Sequence, residues 1–163
     1  MILRALDVSI RRTGDAGFII AIMIMVFLTI SITWEVISRY VLGSSTVWVT
    51  EVSGYLVAGV LFMAIGKVYR DNGHVAMSII VDKFPEHTHA HFMMIVDFIV
   101  LIFAVFVTWS TYDMAMLSLV LGWKSSTTLA VPLYIPQTLI PLGSAILVIE
   151  AIRMMIVRTG SLK

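Results

Sequence analysis

The chain has 163 residues, 60% of them hydrophobic and 13% charged, and a formal net charge of +1. Its mean hydropathy is +1.00, whereas a water-soluble domain carries roughly a quarter charged residues to cover its surface. A soluble domain is excluded, no nucleic-acid partner is expected, and the absence of Cys excludes disulfides and thiolate metal sites.

Four apolar stretches are long enough to cross a hydrocarbon core of roughly 30 Å, which takes about 20 helical residues. The first runs from about Gly17 to Ser38, with no charge between Ala16 and Thr33. It is too long for a signal peptide and no small-residue cleavage pattern follows, so it is expected to be retained. Near its far end Glu35 and Arg39 stand at i and i+4 and can pair. Two readings stay open for them: an ion pair anchoring the helix end, or a contact for a docking partner.

The second span covers about Trp48 to Tyr69, with Glu51 in its first turn and Lys67 near its end. The helix dipole favours a carboxylate at Glu51, and an intersubunit contact there is the alternative. Gly54 and Ala58 form a small-xxx-small pair, and Gly59 and Gly66 lie one heptad apart. Small residues let helix backbones approach closely. This face is therefore expected to pack on another span of the chain or on a partner subunit.

The stretch from about Arg70 to Ala90 leaves room for a short interfacial helix, since Val75, Ile79, Ile80 and Phe84 approximate one apolar face. His74, His87, His89 and His91 lie in or beside it. His87 and His91 have an i, i+4 spacing, but two His without a third ligand do not define a metal centre. No span holds a His at depth, so axial ligation of a membrane haem is not expected.

The third span, about His91 to Val120, is longer than needed and should tilt or protrude. Asp97 lies about two turns inside it, where an unpaired carboxylate is costly. Pairing with Lys67 or Arg70 is favoured over a proton or ion relay. Asp113, beyond Trp109, is expected to reach the interface. In the fourth span, about Pro132 to Val157, Pro132, Pro136, Pro141 and Gly143 crowd the outer half and predict a kink. Glu150 has Arg153 at i+3 and should pair with it.

The runs are continuously apolar, without the two-residue alternation of a barrel strand, so helices are expected. Nine of the eleven Lys and Arg flank one side of the spans: Arg4, Arg11, Arg12, Lys67, Arg70, Lys83, Arg153, Arg158 and Lys163. Only Arg39 and Lys124 remain for the other side, so both termini are expected to be cytoplasmic. Trp34, Trp48, Trp109 and Trp123 then form an outer aromatic belt. The expectation is an all-α integral membrane protein with four transmembrane helices, forming a single membrane domain over residues 1–163. No nucleophile–base pair, phosphate-cradling loop or catalytic acid pair argues for an enzyme, and no metal or other cofactor is implied.

One pattern is more specific than its parts. It begins with Arg39-Tyr40-Val41-Leu42-Gly43, then Trp48 and Glu51, then Lys67 and Arg70. Gly73-His74-Val75 and Val81-Asp82 follow, and later Gly122, Ser125-Ser126, Pro132 and Ile140-Pro141-Leu142-Gly143. Over about residues 25 to 150 this resembles the small membrane subunit, DctQ-type, of tripartite ATP-independent periplasmic (TRAP) transporters. Two details depart from the pattern: Thr50 precedes a single Glu51 where two adjacent acids are usual, and Ala76-Met77 follows the His-aliphatic pair.

The resemblance implies a bacterial or archaeal inner-membrane helper in a secondary transporter. A large multi-span subunit would move an organic anion or related solute with sodium by an elevator motion. A periplasmic solute-binding protein would deliver that solute. The small subunit would enlarge the fixed scaffold, contact membrane lipids and help dock the receptor. Carried onto this chain, Arg39, Trp48 and Glu51 would support the receptor-facing surface, with Glu35 and Lys124 as neighbours. His74 and Asp82 would shape the inner loop. Two other classes compete: a self-sufficient four-helix transporter, and a membrane anchor of a redox complex. The first design uses a deep carboxylate in its first span, whereas Glu35 lies at the end of this one. The second calls for intramembrane His.

Overall fold

The apolar runs become four long helices in the computed structural model, which describes residues 2–71, 86–127 and 129–161. In chain order they are α1 (Ile2–Val41), α2 (Val47–Arg70), α3 (Glu86–Val120), a short α4 (Tyr134–Gln137) and α5 (Leu139–Ser161). Stretches long and apolar enough to cross a membrane cover Ile10–Val41, Trp48–Arg70, Phe92–Val120 and Tyr134–Thr159. The only extended pairing among the described residues is a single bridge between Lys124 and Pro132.

Two element boundaries depart from the sequence reading. The first helix was expected from Gly17, but α1 is continuous over 40 residues, about 60 Å at 1.5 Å per residue. Charges such as Arg11 and Asp15 end a hydropathy window, yet they do not end a helix. The fourth span was expected from Pro132, but helix begins at Tyr134 and is interrupted at Thr138 before α5. Pro141 has no N–H to donate to the Gln137 carbonyl, which accounts for a break there. The short interfacial helix expected between the second and third spans falls mostly on residues 72–85, outside the described residues.

α5 is the central element. It packs on α2 along one side and on α3 along the other, while α1 lies against α2 and also touches α5. Small residues set these spacings. Ala104 of α3 and Ala151 of α5 are both completely buried, and the hydroxyls of Thr108 and Ser144 lie 2.9 Å apart between the same two helices. Across the other seam, a Cβ at Gly143 would stand 2.4 Å from the Phe62 carbonyl carbon and oxygen. Helices held in lipid gain nothing from excluding water from each other, so this close van der Waals fit carries their association. Tyr69, Ala104, Leu147 and Ala151 form the core between α2, α3 and α5, with Ile65, Val100, Leu101 and Met154 packed against it.

Loops at one end close the bundle. Gly43 and Gly122, at φ +64° and +62°, take the left-handed conformation that ends a helix. After Gly122 the Trp123 N–H returns to the Ser118 carbonyl at 3.0 Å. The chain then forms a narrow turn in which Ser125 N–H donates to Val131 O at 2.9 Å and Leu133 N–H to Trp123 O at 3.0 Å. This "loop end" contrasts with the opposite "terminal end", where α1 begins and α5 finishes.

Candidate functional site

At the loop end the expected Glu35–Arg39 pair forms, with Arg39 Nη2 donating to Glu35 Oε1 at 2.6 Å. Glu35 does more than anchor one helix. It is 6% exposed, and its Oε1 also accepts from Ser45 Oγ at 3.0 Å. Its Oε2 accepts the Thr46 backbone N–H at 2.8 Å and the Thr46 hydroxyl. The carboxylate thus stitches the end of α1 to the residue that opens α2. The Arg39 side chain remains half exposed.

Glu51 departs from expectation. The first turn of α2 holds no acid, because the helix starts at Val47, so dipole complementation is not its main role. Its carboxylate accepts from the Tyr55 hydroxyl at 3.0 Å and from the Thr127 hydroxyl. It holds the turn at 121–133 down onto α2. That turn presents Lys124 to the outside, exposed, one residue beyond Trp123. Arg39, Glu35, Glu51 and Lys124 therefore share one end of the molecule. Trp48, in the first turn of α2, lies there too. Trp34, Trp48, Trp109 and Trp123 are all exposed, as anchors at a headgroup layer need to be.

The four small residues of α2 separate. A Cβ at Gly59 would meet Leu139 of α5 at 3.0 Å, and one at Gly66 would meet Ile146 at 2.8 Å. Gly54, by contrast, has nothing within 4 Å and is exposed, with Ala58 partly covered beside it. The seam inside the chain is therefore built from Gly59, Gly66 and Gly143. It also uses Gly17, where a Cβ would stand 2.8 Å from the Met63 carbonyl oxygen. Gly54 and Ala58 leave an open patch near the loop end.

The terminal end carries a polar cluster that sequence reasoning saw only in part. Arg70 bridges Asp15 of α1 at 2.5 Å and Glu150 of α5 at 3.4 Å. Lys67 adds a bond to Asp15 at 3.1 Å. Arg153 lies 3.3 Å from Glu150, as its i+3 spacing predicts, and Glu150 is fully buried. Asp97 was expected to pair with Lys67 or Arg70, and it does not. It is 1% exposed, accepts a hydrogen bond from the Tyr69 hydroxyl and lies 3.3 Å from Arg158 Nε. The reason is register: α5 packs beside α3 and carries Arg158 to Asp97, while Asp15 and Glu150 take Arg70. Asp15 escaped notice because it precedes the apolar run. The signal that could have found it is the excess of cations at the end of α2, which calls for acids at equal depth.

His74 and Asp82 lie outside the described residues. Among the described residues no group of three or more His, Asp or Glu side chains is arranged to hold a metal. The arrangement holds helices and presents surfaces.

Comparison with known proteins agrees with this architecture. The family profile described as "Tripartite ATP-independent periplasmic transporters, DctQ component" matches residues 28–159. A curated relative, the "Isethionate TRAP transporter permease protein DctMQ" of Oleidesulfovibrio alaskensis, is 22% identical over 145 residues. That alignment covers 85% of this chain and 22% of the relative. The chain thus spans about a fifth of the length of the curated relative it matches.

Proposed function

The chain belongs to the DctQ component family of tripartite ATP-independent periplasmic transporters, and from that membership we propose that it is a scaffold subunit rather than a carrier. It packs against a large membrane subunit that moves the solute by an elevator motion, coupled to sodium. It offers its loop end to a periplasmic solute-binding protein. Both termini face the cytoplasm, and the host membrane is the inner membrane. The transported solute is a small organic anion, a class that includes the isethionate named for the relative.

The observation that carries this reading is where the buried charge goes. Buried acids in a membrane mark substrate or ion paths when they converge on a cavity. Here Glu35, Asp97 and Glu150 are each held by a basic group of the same chain. Between those levels the hydroxyls of Thr108 and Ser144 make a polar contact joining two helices. Such a chain is stiffened by its charges and keeps none of these acids for cargo. Exposed Arg39 and Lys124 at the loop end suit an acidic rim on a soluble receptor, where charge steers encounter more than it sets affinity.

Reconstitution tests the reading. Uptake into proteoliposomes should require this chain, the large subunit and the receptor together. Solute or cation movement by this chain alone would overturn the proposal. With the full system, Arg39→Glu should lower uptake at limiting receptor by on the order of threefold, and saturating receptor should recover it, as expected when a rim charge governs association. Glu51→Lys should act through the turn it holds, lowering uptake at limiting receptor as well. Normal uptake by both variants at limiting receptor would remove these residues from docking.

A further inference from the structure

Ser118, near the loop end of α3, is completely buried, and its hydroxyl has no hydrogen-bond partner among the described residues. The side-chain carbonyl of Gln137, the last residue of α4, is also buried without a partner among them. We infer that these two side chains hold a single water molecule between them, which ties the loop end of α3 to the break between α4 and α5. This goes beyond the scaffold reading and does not depend on it.

Register brings the two groups together. Along α3, Leu101, Ala104, Thr108, Thr111, Ala115 and Ser118 are all covered at least in part, at alternating steps of three and four. That spacing keeps one face of a helix against its neighbour. Two contacts fix how α5 runs against this face, Asp97 with Arg158 and Thr108 with Ser144. Ser118 lies twenty-one residues beyond Asp97, and Gln137 lies twenty-one before Arg158, three seven-residue repeats in each case. The helices run in opposite directions, so the face that brings Arg158 to Asp97 brings Gln137 to Ser118. Thr138, between α4 and α5, keeps helical angles of φ −66° and ψ −21°, and α4 packs on α3. The interruption therefore leaves this register intact.

The chemistry selects water. Other hydroxyls of this seam are satisfied by their own helices: Thr108, Thr111 and Ser144 donate to carbonyls one turn earlier at 2.7, 2.6 and 2.9 Å. The Ser118 hydroxyl makes no such bond, so it faces away from its own backbone. Buried polar groups are almost always paired, and where protein atoms do not serve, ordered water does. A buried water typically makes about three hydrogen bonds, and three groups are at hand. The Ser118 hydroxyl can donate and Gln137 Oε1 can accept. The Gln137 backbone carbonyl is a second acceptor, because Pro141 has no N–H to give it. One water that accepts from Ser118 and donates to both oxygens satisfies all three. Both side chains are neutral, whereas a divalent cation such as calcium asks for about six or more oxygens, often charged ones.

Two measurements on the full chain test this. An experimental structure at a resolution that shows ordered water should hold one isolated peak within hydrogen-bond distance of Ser118 Oγ and the Gln137 side chain. Thermal unfolding in detergent adds a test of sign. Were the hydroxyl simply unpaired, Ser118→Ala would remove a buried polar group that nothing satisfies, and the midpoint would rise. With the water in place, the same change takes away one of its partners and should lower the midpoint by roughly 2–8 °C. Adding Gln137→Met should recover most of that loss, since both side-chain partners are then gone. An unchanged or raised midpoint for Ser118→Ala would overturn the proposal. So would a structure with no peak there, with Ser118 Oγ bonded directly to Gln137, or with a lipid headgroup atom in the water's place.

Discussion

Replacing Gly143 with alanine is expected to cost a large share of the stability of the bundle. A Cβ there would lie 2.4 Å from both the carbonyl carbon and oxygen of Phe62. Those are backbone atoms of α2, so no side-chain rotation relieves the clash, and α5 must shift away. Overpacking typically costs ~1–3 kcal/mol, and occasionally more. A rigid backbone contact belongs at or above the top of that range. For a chain of this size the unfolding midpoint in detergent should fall by roughly 10 °C, at about 2–4 °C per kcal/mol. The matched control is Gly54→Ala, where the added methyl meets nothing within 4 Å. It should hold the midpoint or raise it slightly, because alanine favours a helix interior over glycine by about 0.5–1 kcal/mol. Equal midpoints for the two variants would mean that α2 and α5 do not touch at Phe62.

Glu150→Ala is the second large expected effect. Glu150 is wholly buried and faces two guanidinium groups, Arg70 at 3.4 Å and Arg153 at 3.3 Å. Arg70 also reaches Asp15 and Asp71, but both cations are largely buried and were balanced in part by this carboxylate. Removing one partner of a buried ion pair costs about 3–5 kcal/mol, because the charge left behind has lost its compensation. Removing both partners costs far less. The double variant Glu150→Met with Arg153→Met should therefore recover much of what Glu150→Ala loses. Thermal unfolding in detergent measures both, and a single variant as stable as the parent would show that Glu150 carries no such burden.

The sequence disclosed the number of spans and the pairs close along the chain, for clear physical reasons. Continuous apolar runs have few ways to exist in a bilayer, so four of them mean four helices. Neighbours at i+3 or i+4 meet because helix geometry forces it, which is why Glu35 with Arg39 and Glu150 with Arg153 were legible. Contacts between helices were not. Asp97 could have reached several cations, and only the arrangement of α5 between α2 and α3 selected Arg158. Likewise, spacing marked Gly54 and Gly66 as equally suited to close packing, yet one faces open space and the other a neighbouring helix. Gly17 and Gly143, each poised against a carbonyl of α2, stood out only once the helices were placed. Rotation about a helix axis is a tertiary outcome, and a one-dimensional pattern carries little of it.

The two fastenings between α1 and α2 deserve to be taken together. Glu35 is bound to the head of α2, and Asp15 is bound to Lys67 and Arg70 at its foot. Twenty residues separate the two acids, which is about 30 Å of helix, close to the thickness of the hydrocarbon core itself. A rod clamped to its neighbour at both leaflets can neither slip by a turn nor twist without breaking both clamps. Force applied at one surface is then delivered to the other surface undiminished by internal sliding.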